Sequence, residues 1–516
     1  MHAISLGYED PTSYTTVTIT TRDKERSFTA IGQHSGTQHP PGSIVIAGTK
    51  RVLGRTNKDG KLADDIKKYK LPYELDDAGL PFIPFNGEKV TPIEITALLI
   101  LRCVREAEEL IGERPTSCVL TVPAYFTVAS RQATRDAAQI AGLKVTQIIS
   151  EPLAAGIATL LDCKKEQDGK YLVVDIGGGT LDCSKFSMTT MDQRKAFMVE
   201  ATSGDHGIGG DEFSRLLEEA FKKKYPEDLG NTSGNELLNQ CEVSKKQRDD
   251  EIYLRYGEKQ YVLSRDEYKQ ALEELLIKSE KVIDESLEGD GKKDIKGVIL
   301  TGGSAKLEIF TSTVEDKLKG FQFEARKHLP SHVVARGAAI MTRTINGPVI
   351  NEVVPQSLGV EVQDPDTGEQ NIMNFQLRRN RALPASQVME YKGVNDKVTQ
   401  VKTYQGESAN TEENTYIGMW EFPVNRNEKF WIKFELDSDG ILNVTWTKTS
   451  QGPWEAGLNV DMAGSRLEEN ERNAMSETAN LRYHSVFPPK NKGRGKRPAI
   501  TTSGGTTKKR KTRNGR

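Results

Sequence analysis

The sequence has few cysteines, no long apolar run and almost no net charge. Its five cysteines, Cys103, Cys118, Cys163, Cys183 and Cys241, are scattered without a Cys-x-x-Cys pair, which argues against a disulfide framework or a zinc site and fits a reducing compartment. No stretch approaches eighteen apolar residues, and Met1 to Gly7 lacks the charged region and apolar core of a signal peptide. The expectation is a soluble protein, cytoplasmic, nuclear or both, with no membrane partner. The formal charge is only −2 over 516 residues, but from Lys490 to Arg516 there are eleven Lys or Arg and no Asp or Glu. The tail is therefore a separate electrostatic object on an otherwise acidic chain. What is present is 36% hydrophobic residues, enough for more than one core and for two or three domains.

The stretch from Tyr171 to Ser184 organises the rest. Tyr171 to Ile176 is an apolar run rich in branched side chains, which predicts a buried strand, and Leu181 opens a second run after a few residues. Gly177, Gly178 and Gly179 form the turn between them. Three glycines permit positive φ and leave no Cβ in the way of a ligand, so successive amides can converge on phosphate oxygens. Asp175 and Asp182 flank the turn, and magnesium, which keeps most of its waters, needs few carboxylates. From these residues alone two readings stay open. One is a phosphate cradle; the other is a glycine hairpin with two solvated aspartates, since the pattern is neither a Walker loop nor a dinucleotide fingerprint.

Asp175-Ile-Gly-Gly-Gly-Thr-Leu-Asp182 resembles the second phosphate motif of the seventy-kilodalton heat-shock chaperones, within the wider actin and sugar-kinase ATPase fold. The likeness continues through Thr121-Val-Pro-Ala-Tyr-Phe126, Arg131-Gln-Ala-Thr134, Ile149-Ser-Glu-Pro152, Gly209-Gly210 and Leu300-Thr-Gly-Gly-Ser304, covering roughly residues 45 to 465. The resemblance implies ATP or ADP with Mg2+ as ligands. It implies that Lys50, in Lys50-Arg-Val-Leu-Gly-Arg55, orients the attacking water, and that Glu151, Asp175 and Asp182 organise magnesium and its waters, with Asp175 and Glu151 nearest the metal. Gly177, Gly178, Gly179 and Thr180 would hold the phosphates, with Gly209 and Gly210 closing the turn. Glu242 and Lys245 would meet the ribose, and Gly302, Gly303 and Ser304 would approach the adenosine. Lys306 replaces the family's arginine against the adenine, where a planar guanidinium stacks better than an ammonium. Ser331 and His332 replace acidic family residues, while Gly337-Ala-Ala339 is kept.

The first phosphate loop departs from the family pattern. An aspartate followed by Leu-Gly-Thr-Thr is expected, whereas this chain has Ser5-Leu-Gly-Tyr-Glu-Asp10, so Ser5 replaces the metal-facing aspartate and Tyr8 and Glu9 the two threonines. A carboxylate about 4 Å from a phosphate charge costs roughly 4 kcal/mol at an effective dielectric near 20, about a thousandfold in affinity. Magnesium or a rotated Glu9 relieves that cost; the other reading is a loop that has drifted away from any nucleotide.

Thr15 to Thr20 and Ser27 to Ile31 read as strands beside a first one at Ala3 to Gly7. Thr91-Pro-Ile-Glu94 predicts a capping box, followed by a buried stripe of Leu98, Leu101, Val104, Ala107 and Ile111. Val119 to Pro123 and Val145 to Ile149 read as strands around a helix from Ser130 to Ala141. Ser264 to Ser286 predicts a long helix with Tyr268, Ala271, Leu275, Ile277, Val282 and Ile283 on its apolar positions. The expected architecture is a two-lobed α/β actin-like nucleotide-binding domain at 1–346, a linker at 347–356 and an antiparallel β-sandwich for peptides at 357–463. A truncated helical segment at 464–485 and a disordered basic tail at 486–516 complete it. Asp439-Gly440 suits a tight hairpin turn. Trp420, Trp431, Trp446 and Trp454 all fall in the β-rich part, as groove lining or as core. In place of the family's long helical lid one charged helix is expected, which would let peptide leave faster.

The functional expectation is a chaperone-like protein that binds ATP or ADP and extended, unfolded peptide clients, assisting folding with impaired hydrolysis. J-domain and nucleotide-exchange co-chaperones are the implied partners. The alternative is a non-catalytic scaffold or co-chaperone, which Ser5, Tyr8 and Glu9 favour. Lys496-Arg497 and, ten residues on, Lys508-Lys-Arg-Lys511 resemble a bipartite signal for a nuclear import carrier; the other reading is a basic tail that touches nucleic-acid phosphates.

Overall fold

The computed structural model describes residues 14–21, 24–31 and 46–486, with breaks at 47, 86, 163–166, 193, 233–235, 288–293, 322–331, 343–346, 364–367, 369, 460–466 and 468. The expected first strand, the departing loop with Ser5, Tyr8 and Glu9, Cys163, Ser331 and the basic tail lie outside the described residues.

The first lobe contains the antiparallel hairpin Tyr14–Thr21 and Lys24–Ile31 and a parallel pair, Ser117–Val122 with Lys144–Ser150, joined by helix Val128–Ile140. Helix Pro92–Ile111 starts as its sequence dictates: the Thr91 side chain accepts from the Glu94 N–H, and the Glu94 carboxylate accepts from the Thr91 N–H at 2.8 Å. Its stripe is buried at Leu101, Val104 and Ala107 and packed at the rim by Leu98 and Ile111, against Leu120, Val122, Ala137 and Ile148.

The second lobe is built on a five-stranded mixed sheet in the order Ile295–Thr301, Gly169–Ile176, Leu181–Met191, Arg194–Asp205 and Val349–Asn351. The Tyr171–Val174 run carries an apolar side chain or ring at every position because both of its faces are covered. Leu172, Val174 and Ile176 pack with Phe213, Leu217 and Leu272 from helices Gly210–Lys224 and Arg265–Ser286. Tyr171 and Val173 pack on the other face with Leu153, Ala154 and Ala338 from helices Glu151–Asp162 and Val333–Met341. Among the apolar positions of helix Arg265–Ser286, Ile277 is 61% exposed, because Leu272, Leu276 and Ile283 define the buried stripe and the next residue along a helix is turned about 100° away.

Residues 358–459 form two antiparallel sheets. One has the order Ile372–Leu377, Leu358–Val362, Thr399–Gln405, Thr415–Phe422, Leu458–Asn459; the other runs Ala385–Lys392, Lys429–Leu436, Leu442–Thr447, Glu455–Ala456. A single cluster joins them, with Val360, Phe422, Phe430, Phe434 and Val444. Trp420 and Trp446 belong to it, whereas Trp431 and Trp454 are only half-buried.

The stretch expected to be a linker is partly sheet. Val349–Asn351 pairs in parallel with Ala196 to Met198, and Glu352, just after it, accepts from the Ser150 N–H at 2.6 Å. The two-sheet region also touches the first lobe. Asp439, in the turn after Lys429–Leu436, pairs with Arg135 and accepts from the Ile148 N–H at 3.0 Å, while Gln405 accepts from the Val128 N–H at 3.0 Å. Helix Glu469–Val486 packs on helices Pro92–Ile111 and Val128–Ile140. Ala479 enters their core, and Arg472 pairs at 3.5 Å with Asp136, which is fully buried.

Candidate functional site

Asp175, one residue before the end of its strand, lies directly opposite Asp182 in the register of the central hairpin, and Thr301 flanks it on the other side. Both aspartates are buried, Asp182 at 1% exposure. The Thr180 hydroxyl and the Tyr125 N–H reach the Asp182 carboxyl, while Oδ1 has no hydrogen-bond partner. Burial first, and then the charge of Glu151, push that carboxyl up to about 7, against the pull of Lys50. Glu151 opens its helix, where a negative charge faces the positive end of the peptide dipoles. Its two oxygens accept from Lys50 Nζ at 2.7 and 2.9 Å. Lys50, Glu151, Asp175, Thr180 and Asp182 lie together, from a short helix Thr49–Val52, a helix start, and the two arms and the turn of one hairpin.

Three glycine turns meet beside this cluster. The Gly177 carbonyl accepts from the Gly210 N–H at 3.0 Å and from Ser304 Oγ at 2.8 Å, and the Gly178 carbonyl from the Asp211 N–H at 2.7 Å. In a trans peptide the following N–H points opposite to the carbonyl, so the amides of Gly178 and Gly179 face away from the Gly209–Asp211 turn. Gly302 has φ +94°, and a Cβ there would stand 2.2 Å from the Ile176 carbonyl oxygen and 2.7 Å from Asp175 Oδ1. Only glycine lets that turn, which continues through Gly303 to Ser304, close on the strand.

Lys245 and Glu242 form a buried ion pair behind the Gly209-Gly210 turn. Lys245 Nζ donates to the Gly210 carbonyl at 2.8 Å, and Ser214 Oγ donates to Glu242 at 2.6 Å. Lys306 lies in the short 3-10 turn after Gly303 with its side chain exposed. The sequence reading missed Arg51 and Asp211. Arg51 directly follows Lys50, is buried, and pairs with Asp211 at 3.2 Å; two adjacent cations in one motif were the available signal.

Among the described residues no group of three or more His, Cys, Asp or Glu could hold a metal ion. A hydrated magnesium needs only one or two carboxylates. The four described cysteines are free and buried, and among the described residues no helix is long and apolar enough to cross a membrane.

A family model described as Hsp70 protein matches residues 12–485. The chaperone protein DnaK of Buchnera aphidicola subsp. Schizaphis graminum is 32% identical over 486 residues, covering 86% of this chain and 74% of that protein. DnaK of Psychrobacter cryohalolentis is 30% identical over 479 residues, 85% of this chain and 72% of the relative.

Proposed function

The chain belongs to the Hsp70 family of chaperones, and from that premise we propose that its two-lobed part binds and slowly hydrolyses ATP in the cleft beside Gly177–Gly179. Members of the family generally bind ATP or ADP with magnesium and work with peptide clients, J-domain proteins and exchange partners. The observation that carries the reading is the convergence of Lys50, Glu151, Thr180 and Asp182 on one buried spot at the mouth of the glycine bend.

The residues present fit a magnesium ion. Asp182 is a buried carboxyl with an unpartnered oxygen, held partly protonated near neutral pH; an arriving cation supplies the charge compensation that favours its ionised form. Asp175 and Glu151 would hold the ion, with Asp182 reached through water. When bound, the metal neutralises charge on the transferring phosphoryl group. Lys50, fixed by both Glu151 oxygens, would orient the attacking water. Amides of Gly178, Gly179 and Thr180 would take the phosphate oxygens, and Glu242 and Lys245 the ribose. Catalysis of this kind is positioning plus charge stabilisation. The two paired sheets between residues 358 and 459 serve as the peptide-binding β-sandwich in this reading.

Ser5, Tyr8 and Glu9 favour a second reading, a non-catalytic scaffold, because the expected metal-facing carboxylate is replaced and a new negative charge is added. Single-turnover hydrolysis of labelled ATP with magnesium separates the two. Turnover lost in Asp175→Asn and raised in Ser5→Asp supports an impaired ATPase; no turnover in the wild type or Ser5→Asp leaves the scaffold. The basic clusters at 496–497 and 508–511 support contact with an import carrier and a nuclear fraction. Deleting 496–511 should abolish nuclear accumulation of a fluorescent fusion, and unchanged distribution would refute it.

A further inference from the structure

Arg51 has no part in the roles assigned above, although it lies against the same bend. Successive residues of a helix are turned by about 100°, so within Thr49–Val52 the two adjacent cations diverge, Lys50 toward Glu151 and Arg51 toward the glycines. The Arg51 guanidinium stacks on Tyr69 with its centre 4.0 Å from the ring centroid. It donates to the His206 carbonyl and pairs with Asp211 at 3.2 Å. A Cβ built on Gly179 would stand 3.1 Å from Nη2 and 3.3 Å from Cζ and Nε, so the guanidinium lies directly on the bend with no side chain between.

The Arg51 side chain is 4% exposed and Asp211 37%. Burial opposes the guanidinium charge, but the charge and hydrogen bond of Asp211, with Tyr69 beside it, more than offset that, so the group is held as a cation against the bend. His206 and Asp211 use two of the five N–H donors of a guanidinium, which leaves donors beside the amides of Gly178 and Gly179. Guanidinium is also the cation whose planar fork suits phosphate.

We propose that Arg51 is the specificity-determining cation of the cleft, engaging the phosphate chain at Gly179 so that di- and triphosphates are preferred over the bare nucleoside. The proposal rests on the reading of the cleft as a nucleotide site.

Calorimetric titration of the full-length chain with adenosine, ADP and ATP, each with magnesium, tests it. Arg51→Met lowers affinity for ADP and ATP by about tenfold to a hundredfold, leaves adenosine unchanged, and Arg51→Lys recovers part of the loss. Asp211→Asn, which frees Arg51 from its competing carboxylate, keeps or sharpens the preference for phosphates and serves if Arg51→Met does not fold. Equal losses for all three ligands would mark Arg51 as a strut between lobes and overturn the proposal, as would no loss or a preference abolished in Asp211→Asn. If the wild type binds nucleotides without phosphate preference, this inference fails while the nucleotide site stands. If the wild type binds none, the reading of the cleft fails first.

Discussion

Asp182 is enclosed by Thr180, the Tyr125 N–H and the Lys50–Glu151 pair, and its proton is held up to about 7 where an ordinary aspartate releases it near 3.8. A carboxyl whose folded pKa is raised favours folding most at low pH. Its stabilising effect is lost as pH rises from about 4 to about 7, a loss of a few kcal/mol for a shift of this size. Asp182→Asn should therefore raise the melting temperature of the ligand-free protein at pH 8 and change it little at pH 4, while hydrolysis falls; a calorimetric melt at the two pH values checks the sign. Lys50→Ala removes the cation that opposes this shift. The Asp182 titration should then move further up, visible by carboxyl NMR or as a steeper loss of stability toward pH 8, and single-turnover hydrolysis should fall by about a hundredfold or more.

At the scale of elements, the hairpin Lys429–Leu436 and Leu442–Thr447 couples the β-rich part to the first lobe through one turn. Asp439 takes the Ile148 N–H and the Arg135 guanidinium, and the Asp439 carbonyl accepts from Arg131 at 3.2 Å. Asp439→Ala leaves an amide and a guanidinium without their acceptor, so amide exchange at Ile148 should accelerate by about tenfold to a hundredfold. Unchanged protection would show that the turn is not what holds this contact. The turn itself was legible: Asp439-Gly440 is a local signal, and Gly440 has φ +73°. So were the Thr91–Glu94 capping box and the glycine bend, because each is decided by neighbours in sequence. The partners of Asp439 were not, since they lie some 300 residues away and no local pattern encodes them. Likewise Ile277 is one of the apolar positions of its helix, but which side of that helix faces the sheet is set by packing.

For the whole molecule, helix Glu469–Val486 is tied to the first lobe by contacts that can be tested one at a time. Asp136 is wholly buried, with burial raising its pKa, and it accepts from Gln132 and Arg472. Arg472→Ala should cost about 2–3 kcal/mol, less than a fully buried pair because Arg472 is partly exposed, and should free the helix to limited proteolysis ahead of global unfolding. Lys50, Glu151, Thr180 and Asp182 lie together because a short helix, a helix start and the central hairpin meet there. Arg51 escaped notice because direction around a four-residue helix is not written in the sequence. All of these contacts acquire a function only if the cleft takes up nucleotide. Isothermal titration of the full-length protein with ATP at saturating magnesium is the direct test: the account predicts saturable one-site binding that Asp175→Asn and Arg51→Met weaken, and the absence of any binding heat for ATP and ADP, confirmed by an independent equilibrium assay, would contradict it.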